Sequence, residues 1–280
     1  MKPIKNDFKK VFWKKGMCSN TFCYLVNREF GHTRENEERA SDPLAGGIIG
    51  KGHQCGMLWG ATLAVGAESF RRHSDRNQAI AHAMIATQHV VESFTKRTKS
   101  VNSRDITGCD LTSPFGMMKF GLKTILRGFL NSPCFNLAEK WGPEAIQSAK
   151  KGLSHEQPDV SRLTASCASE VAKRMGASDE EMVMVAGFAG GIGLSGNACG
   201  ALGAAIWINT LAWCKNHPGK SPPYFNNPDV KKTLMAFSYA TDSEMLCQKI
   251  CGRNFKTLND HTEFVKKGGC DKLIDVLAQS

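Results

Sequence analysis

The residues best able to do chemistry are eleven cysteines in a chain of 280 residues. Thiols act as metal ligands, redox couples and nucleophiles, in each case through the thiolate. Their number is odd, and the basic opening segment 1–15 (MKPIKNDFKKVFWKK) lacks the apolar stretch of a secretory signal. A reducing cytoplasm is therefore the expected compartment, and there clustered cysteines point to metal or redox chemistry rather than a disulfide scaffold. No two cysteines form a CxxC pair, which argues against zinc ribbons, simple ferredoxins and thioredoxin-like chemistry.

The cysteines recur. Shifting the chain against itself by 144 residues lays Ala45-Gly46-Gly47-Ile48 on Ala189-Gly190-Gly191-Ile192, Gly52 on Gly196 and Cys55-Gly56 on Cys199-Gly200. Nine of the 17 positions from 45 to 61 match. The same offset pairs Cys23 with Cys167, Ser103 with Cys247, Ile106 with Ile250 and Gly108 with Gly252. A shift held from residue 23 to 108 means duplication. An insertion near residues 112–131 then breaks the register, and Cys134, with Leu137, Ala138 and Trp141, matches Cys270 with Leu273, Ile274 and Leu277. Both sets keep the i, i+3, i+4, i+7 spacing of one helix face.

The elements that position these residues read as helices. Leu163, Cys167, Val171 and Met175 keep i+4 spacing, and Ser178-Asp179-Glu180-Glu181 has the form of a capping box. Gly187 to Gly196 is a glycine-rich break, Cys199 opens a helix of small and apolar residues, and Asn226-Asn227-Pro228-Asp229 and Ser243–Ile250 begin two more. No convincing period-2 strand occurs. The expected fold is all-α, with two tandem helical modules, 1–145 and 146–280, packed as a pseudo-symmetric pair in place of a homodimer interface. Gly142–Asp159 is the expected connector. Cys55, Cys134, Cys199 and Cys270 fall in first helical turns, where unpaired N–H groups favour thiolate. Cys18, Cys214 and Cys251 read as small buried hydrophobes on helix faces.

A lone cysteine, a glycine-rich Cys-Gly segment running into a small-residue helix, and two dispersed cysteines resemble the C_GCAxxG_C_C family of redox-active proteins. The resemblance rests on Cys167, the run Gly187–Gly203 around Cys199, Cys247 and Cys270, and on Cys23, the run Ala45–Gly60 around Cys55, and Cys134. It implies a helical domain whose cysteines converge on a redox centre, with an iron–sulfur cluster as the expected cofactor and zinc as the fallback. The implied ligands are Cys167, Cys199, Cys247 and Cys270 in the second copy. In the first they are Cys23, Cys55 and Cys134, with Cys109 or His53 completing a set that Ser103 interrupts. The chain departs from the motif where Gln54 and Ala198 replace the glycine before the cysteine.

With 41% hydrophobic and 22% charged residues the chain is composed like a packed protein. Its net charge of +10 suits either a solvated basic surface or an anionic partner, such as an acidic electron-transfer protein. No nucleic-acid motif accompanies the charge. The most apolar stretch, Ala186–Trp213, is interrupted by Gly, Ser and Asn and is too broken to span a membrane. No Walker loop, HExxH or dinucleotide fingerprint occurs. The expected function is electron transfer through a cluster held by dispersed cysteines, with metal-free thiol–disulfide exchange or a zinc-stabilised structural module as the alternatives.

Overall fold

Helices begin where side chains can take up the first free backbone N–H groups. Ser132, Ser166, Ser178 and Asn227 each accept a backbone N–H at a helix start, and Ser178 with Glu181 forms the reciprocal capping box. The computed structural model describes residues 4–126, 128–154 and 164–280, and among these it contains helices, turns and no strand. The first copy supplies α1 (Phe8–Lys15), α2 (Cys18–Phe30), α3 (Glu35–Ala40), α4 (Gly56–Arg72), α5 (Arg76–Thr98), α6 (Ser103–Thr107), α7 (Pro114–Leu126) and α8 (Pro133–Leu153). The second supplies α9 (Cys167–Arg174), α10 (Asp179–Met184), α11 (Gly200–Asn216), α12 (Pro228–Thr241), α13 (Cys247–Ile250), α14 (Leu258–Lys266) and α15 (Asp271–Ala278). In order, α2 to α8 correspond to α9 to α15; α7 begins 144 residues before α14 and extends further, into the first-copy insertion.

The expected connector needs correction. Helix α8 runs unbroken through Gly142 and Pro143 to Leu153, and the rest of that segment, 155–159, lies outside the described residues, as does Leu163. Trp141, Ala145, Ile146 and Ala149 bury one face of α8, so tertiary packing outweighs the local cost of glycine and proline. Gly142 has its own reason to be there: a Cβ on it would overlap the ring of Phe8.

The copies embrace reciprocally. Helix α3 packs on α11 of the second copy, and its counterpart α10 packs on α4 of the first. Such an exchange is what a two-fold interface becomes when its halves are joined in one chain. The Trp207 indole N–H donates to Glu37 O at 3.1 Å, Arg34 pairs with Glu180, and Trp59 meets Phe188 edge-on at 4.6 Å. The cores of 1–145 and 146–280 therefore merge into one continuous hydrophobic cluster.

Asp42 lies in that core. Burial raises its pKa from 3.8 to about 7, against the opposing pull of the Asn20 amide, Lys15 and Arg39. Between those values the folded state keeps a proton that the unfolded chain has released, so stability falls as pH rises from about 4 through 7. Thermal melts of wild type and Asp42→Asn across pH 5–8 should diverge. The wild type loses stability toward pH 8 and the variant does not share that slope.

Candidate thiol sites around two left-handed glycine turns

Each copy builds its site on the same unusual turn. Gly46, Gly47, Ile48, Ile49 and Gly50 all have φ between 47° and 74°, and Gly190, Gly191, Ile192, Gly193 and Leu194 all lie between 58° and 86°. Five left-handed residues in succession are costly for L-residues, at roughly 1–2 kcal/mol for each non-glycine. Glycine at most of these positions, and the burial of Ile48 and Ile192, offset that cost. The turn closes through Gly52 N–H to Gly46 O (3.0 Å) in one copy and Gly196 N–H to Gly190 O (2.9 Å) in the other. Backbone held this far from its usual state is most often found at functional sites. The turns also touch, since Gln54 Nε2 of the first donates to Gly191 O of the second at 2.9 Å.

After each turn a cysteine caps the long helix, Cys55 before α4 and Cys199 before α11. The glycine that follows lets the helix end approach the turn: a Cβ at Gly56 would stand 2.6 Å from Cys18 Sγ, and one at Gly200 would overlap the Phe188 carbonyl.

In the second copy five thiols gather around the turn. Cys167 opens α9, Cys199 caps α11, Cys247 opens α13, Cys251 directly follows α13, and Cys270 caps α15. Cys251 Sγ stands 3.9 Å from Cys247 Sγ and 4.0 Å from Cys270 Sγ. Cys167 and Cys199 act electrostatically on both Cys247 and Cys270. Cys167, Cys199 and Cys247 are buried.

The electrostatics correct one expectation. Helix N-termini were expected to favour thiolate, yet burial dominates and pushes Cys199 up to about 12 and Cys167 up to about 11. Backbone N–H groups of Leu202 and Ala201 oppose this at Cys199, and those of Gly190 and Ala168 at Cys167. The exception is Cys251. The thiols of Cys247 and Cys270 both donate to it, and its pKa falls to about 4. Those two donors are raised in turn, first by that hydrogen bond and then by burial. Cys251, anticipated as a small buried hydrophobe, is the hub of the cluster.

The first copy repeats the plan with fewer sulfurs. Cys18 opens α2 and Cys134 lies in the first turn of α8, and both line one cavity with Cys55. Ser103 and Thr107 line it too, one turn apart on α6, at the positions of Cys247 and Cys251. Cys18 is lowered, chiefly by its hydrogen bond with Cys55, which also raises Cys55. Burial lifts Cys134 to about 12.

Here the pairing of Cys23 with Cys167 needs correction. Cys18, not Cys23, is the first residue of its helix, as Cys167 is of α9. Cys23 lies more than a turn further along α2, its sulfur accepting from Asn27 Nδ2 at 3.7 Å, and the charges acting on it are Glu38 and Glu37 with Lys15 and Arg34, not thiols. Cys109 is buried and acts on Cys134. His53 feels Lys51, Arg104 and Glu244 rather than any cysteine, and burial lowers its pKa. Cys214 is buried on α11, as expected of a small hydrophobe.

Two signals could have found the missed residues. Cys247 and Cys251 stand at i and i+4, one helix face apart, and Gly16-Met17 before Cys18 reads as a helix start.

Among the described residues no three His, Cys, Asp or Glu side chains stand arranged to hold a metal ion. The second-copy donor set nevertheless fits a thiolate-bound group in its chemistry. It offers five sulfurs where an iron–sulfur cluster takes four, with backbone N–H groups directed at two of them. His261 adds an orphaned polar atom: it is 1% exposed, its Nδ1 has no hydrogen-bond partner, and its ring lies against the site of Gly190.

The model of the family described as putative redox-active protein (C_GCAxxG_C_C) matches residues 17–136 and again 164–280. No curated protein and no solved structure matches the chain. Among the described residues, no helix is long and apolar enough to cross a membrane.

Proposed function

We take as premise that the chain belongs to the C_GCAxxG_C_C redox-active family, as two tandem copies, and propose that it is an electron-transfer protein whose second copy holds an iron–sulfur cluster. The observation that supports this most is the gathering of Cys167, Cys199, Cys247, Cys251 and Cys270, brought by four helix starts to one glycine turn. Four of the five would serve as ligands. Bound there, a cluster would supply one-electron exchange. The chain's own contribution is to exclude water through burial of Cys167, Cys199 and Cys247, and to direct N–H groups at sulfur, which favours the reduced, more negative state. The net charge of +10 suits an acidic electron-transfer partner, and the thiols suit a reducing compartment such as the cytoplasm.

A second reading has its own observation. Cys251 lies between two thiols and is the acidic one of the three, as a thiol–disulfide protein requires. Oxidation there by an external disulfide would join the Cys251 thiolate to the thiol of Cys247 or Cys270, releasing one proton and passing two electrons to that disulfide. Taking up that proton and one more from water, it leaves as two thiols. Anaerobic reconstitution with iron and sulfide, followed by metal analysis and absorbance before and after dithionite, separates the readings. The proposal expects bound iron and a visible band that bleaches on reduction. An iron-free, colourless protein overturns it. In that case a loss of two mass units on oxidation selects the thiol–disulfide reading, and stoichiometric zinc without redox response selects a structural zinc module.

A further inference from the structure

The first-copy site differs from its counterpart in what surrounds the sulfurs. It opens on a cavity of about 400 Å³, within the range of pockets for small organic ligands. No Asp, Glu, Lys, Arg or His is among the described residues that line it. Apart from the thiols of Cys18, Cys55 and Cys134 and five hydroxyls, its described walls are aromatic and aliphatic. Phe12 and Phe135 stack at 4.5 Å, Trp13 tilts against Phe135, and Leu111 and Phe120 complete the apolar lining.

Four of the five hydroxyl-bearing residues in the described lining make a side-chain hydrogen bond within the protein. Thr107 donates to Ser103 O, Thr124 to Phe120 O and Tyr224 to Ala45 O, while Ser132 accepts from Phe135 N. Ser103 Oγ makes no hydrogen bond, although the residue is only 5% exposed and lines the cavity. Its Oγ is not sealed off by protein: it opens on the cavity, where a ligand atom can meet it. Where the second copy spends two thiols, Cys247 and Cys251, the first thus presents one free hydroxyl and one satisfied hydroxyl beside an apolar chamber.

We propose that this cavity is a binding site for an uncharged aromatic molecule carrying a hydrogen-bonding oxygen, which lies among Phe12, Trp13, Phe120 and Phe135 and meets Ser103 Oγ. The described lining holds aromatic and aliphatic side chains and three thiols but no charged one, and its flat aromatic walls favour a planar ring. The site is independent of the cluster reading, because none of the second-copy thiols takes part in it.

The test uses the full metal-free chain with two probes of similar shape, 2-naphthol and 2-methylnaphthalene, followed by fluorescence titration. Wild type should bind one equivalent of 2-naphthol saturably. Ser103→Ala should weaken 2-naphthol about fivefold, the size of one hydrogen bond, and leave 2-methylnaphthalene unchanged. Thr124→Trp, on the half-buried face of α7, should fill the cavity and remove both. Absence of saturable binding in wild type overturns the site. So does equal binding by wild type and Thr124→Trp, which would place the probe elsewhere on the protein. An equal loss of both probes in Ser103→Ala overturns the role of that hydroxyl. Repeating the titration after iron loading should give the same affinities, so failure here is distinguishable from failure of the cluster reading.

Discussion

Gly200→Ala should cost about 3 kcal/mol or more and lower the melting temperature by roughly 6–12 °C. The cause is local and rigid. A Cβ at position 200 would overlap the carbonyl of Phe188 and press on Ala189 N at 3.2 Å. Both are backbone atoms, so no side-chain rotamer relieves the contact. The helix end must retreat from the left-handed turn, carrying Cys199 away from Cys167. Gly121→Ala is the control: it lies inside α7 with nothing within 4 Å of its Cβ position. There the substitution should be neutral or stabilising by up to about 1 kcal/mol. Equal melting temperatures for the two variants would contradict the close approach of α11 to the turn.

The second large effect concerns Cys251. In metal-free protein at pH 6 it should react with iodoacetamide about tenfold or more faster than the buried cysteines raised above the ordinary thiol range. A thiol with pKa about 4 is fully ionised at that pH, whereas a raised one is almost wholly protonated. The lower intrinsic nucleophilicity of an acidic thiolate offsets part of the advantage but not all of it. Its rate should stay flat down to about pH 5. Cys247→Ala removes the first of its two thiol donors, so the midpoint should move upward. Peptide mapping after brief labelling reads this directly. Preferential labelling of Cys199 or Cys270 would contradict the assignment of the negative charge to Cys251.

The duplication and the two glycine turns were legible because backbone handedness leaves its mark in residue type. Only glycine takes successive left-handed positions cheaply, so Gly46-Gly47 and Gly190-Gly191 stand out in any alignment. The Cys-Gly step was legible for the related reason that Gly56 and Gly200 abut backbone or sulfur. The ligand register upstream was not. A constant offset of 144 led to Cys23, whereas the structure aligns helix starts and so pairs Cys18 with Cys167. The spacing between the first helix and the turn differs between copies, and only tertiary structure reveals that. Cys251 was hidden for another reason: α13 spans four residues, Cys247–Ile250, too few for an apolar periodicity to mark its inner face. The cavity beside Ser103 had no linear signature at all, because its walls come from α1, α7 and α8 and from Tyr224 in the other copy.

The central claim is that the second copy, with its five gathered thiols, is where the redox centre forms. The most direct test is EPR with iron and sulfide analysis on reconstituted wild type, Cys199→Ser and Cys55→Ser, handled in parallel. These residues cap equivalent helices, so their structural roles are matched. Wild type and Cys55→Ser should carry the same iron and the same signal on reduction, and Cys199→Ser should lose both. Retention of the full signal in Cys199→Ser, or its loss in Cys55→Ser alone, would contradict the account.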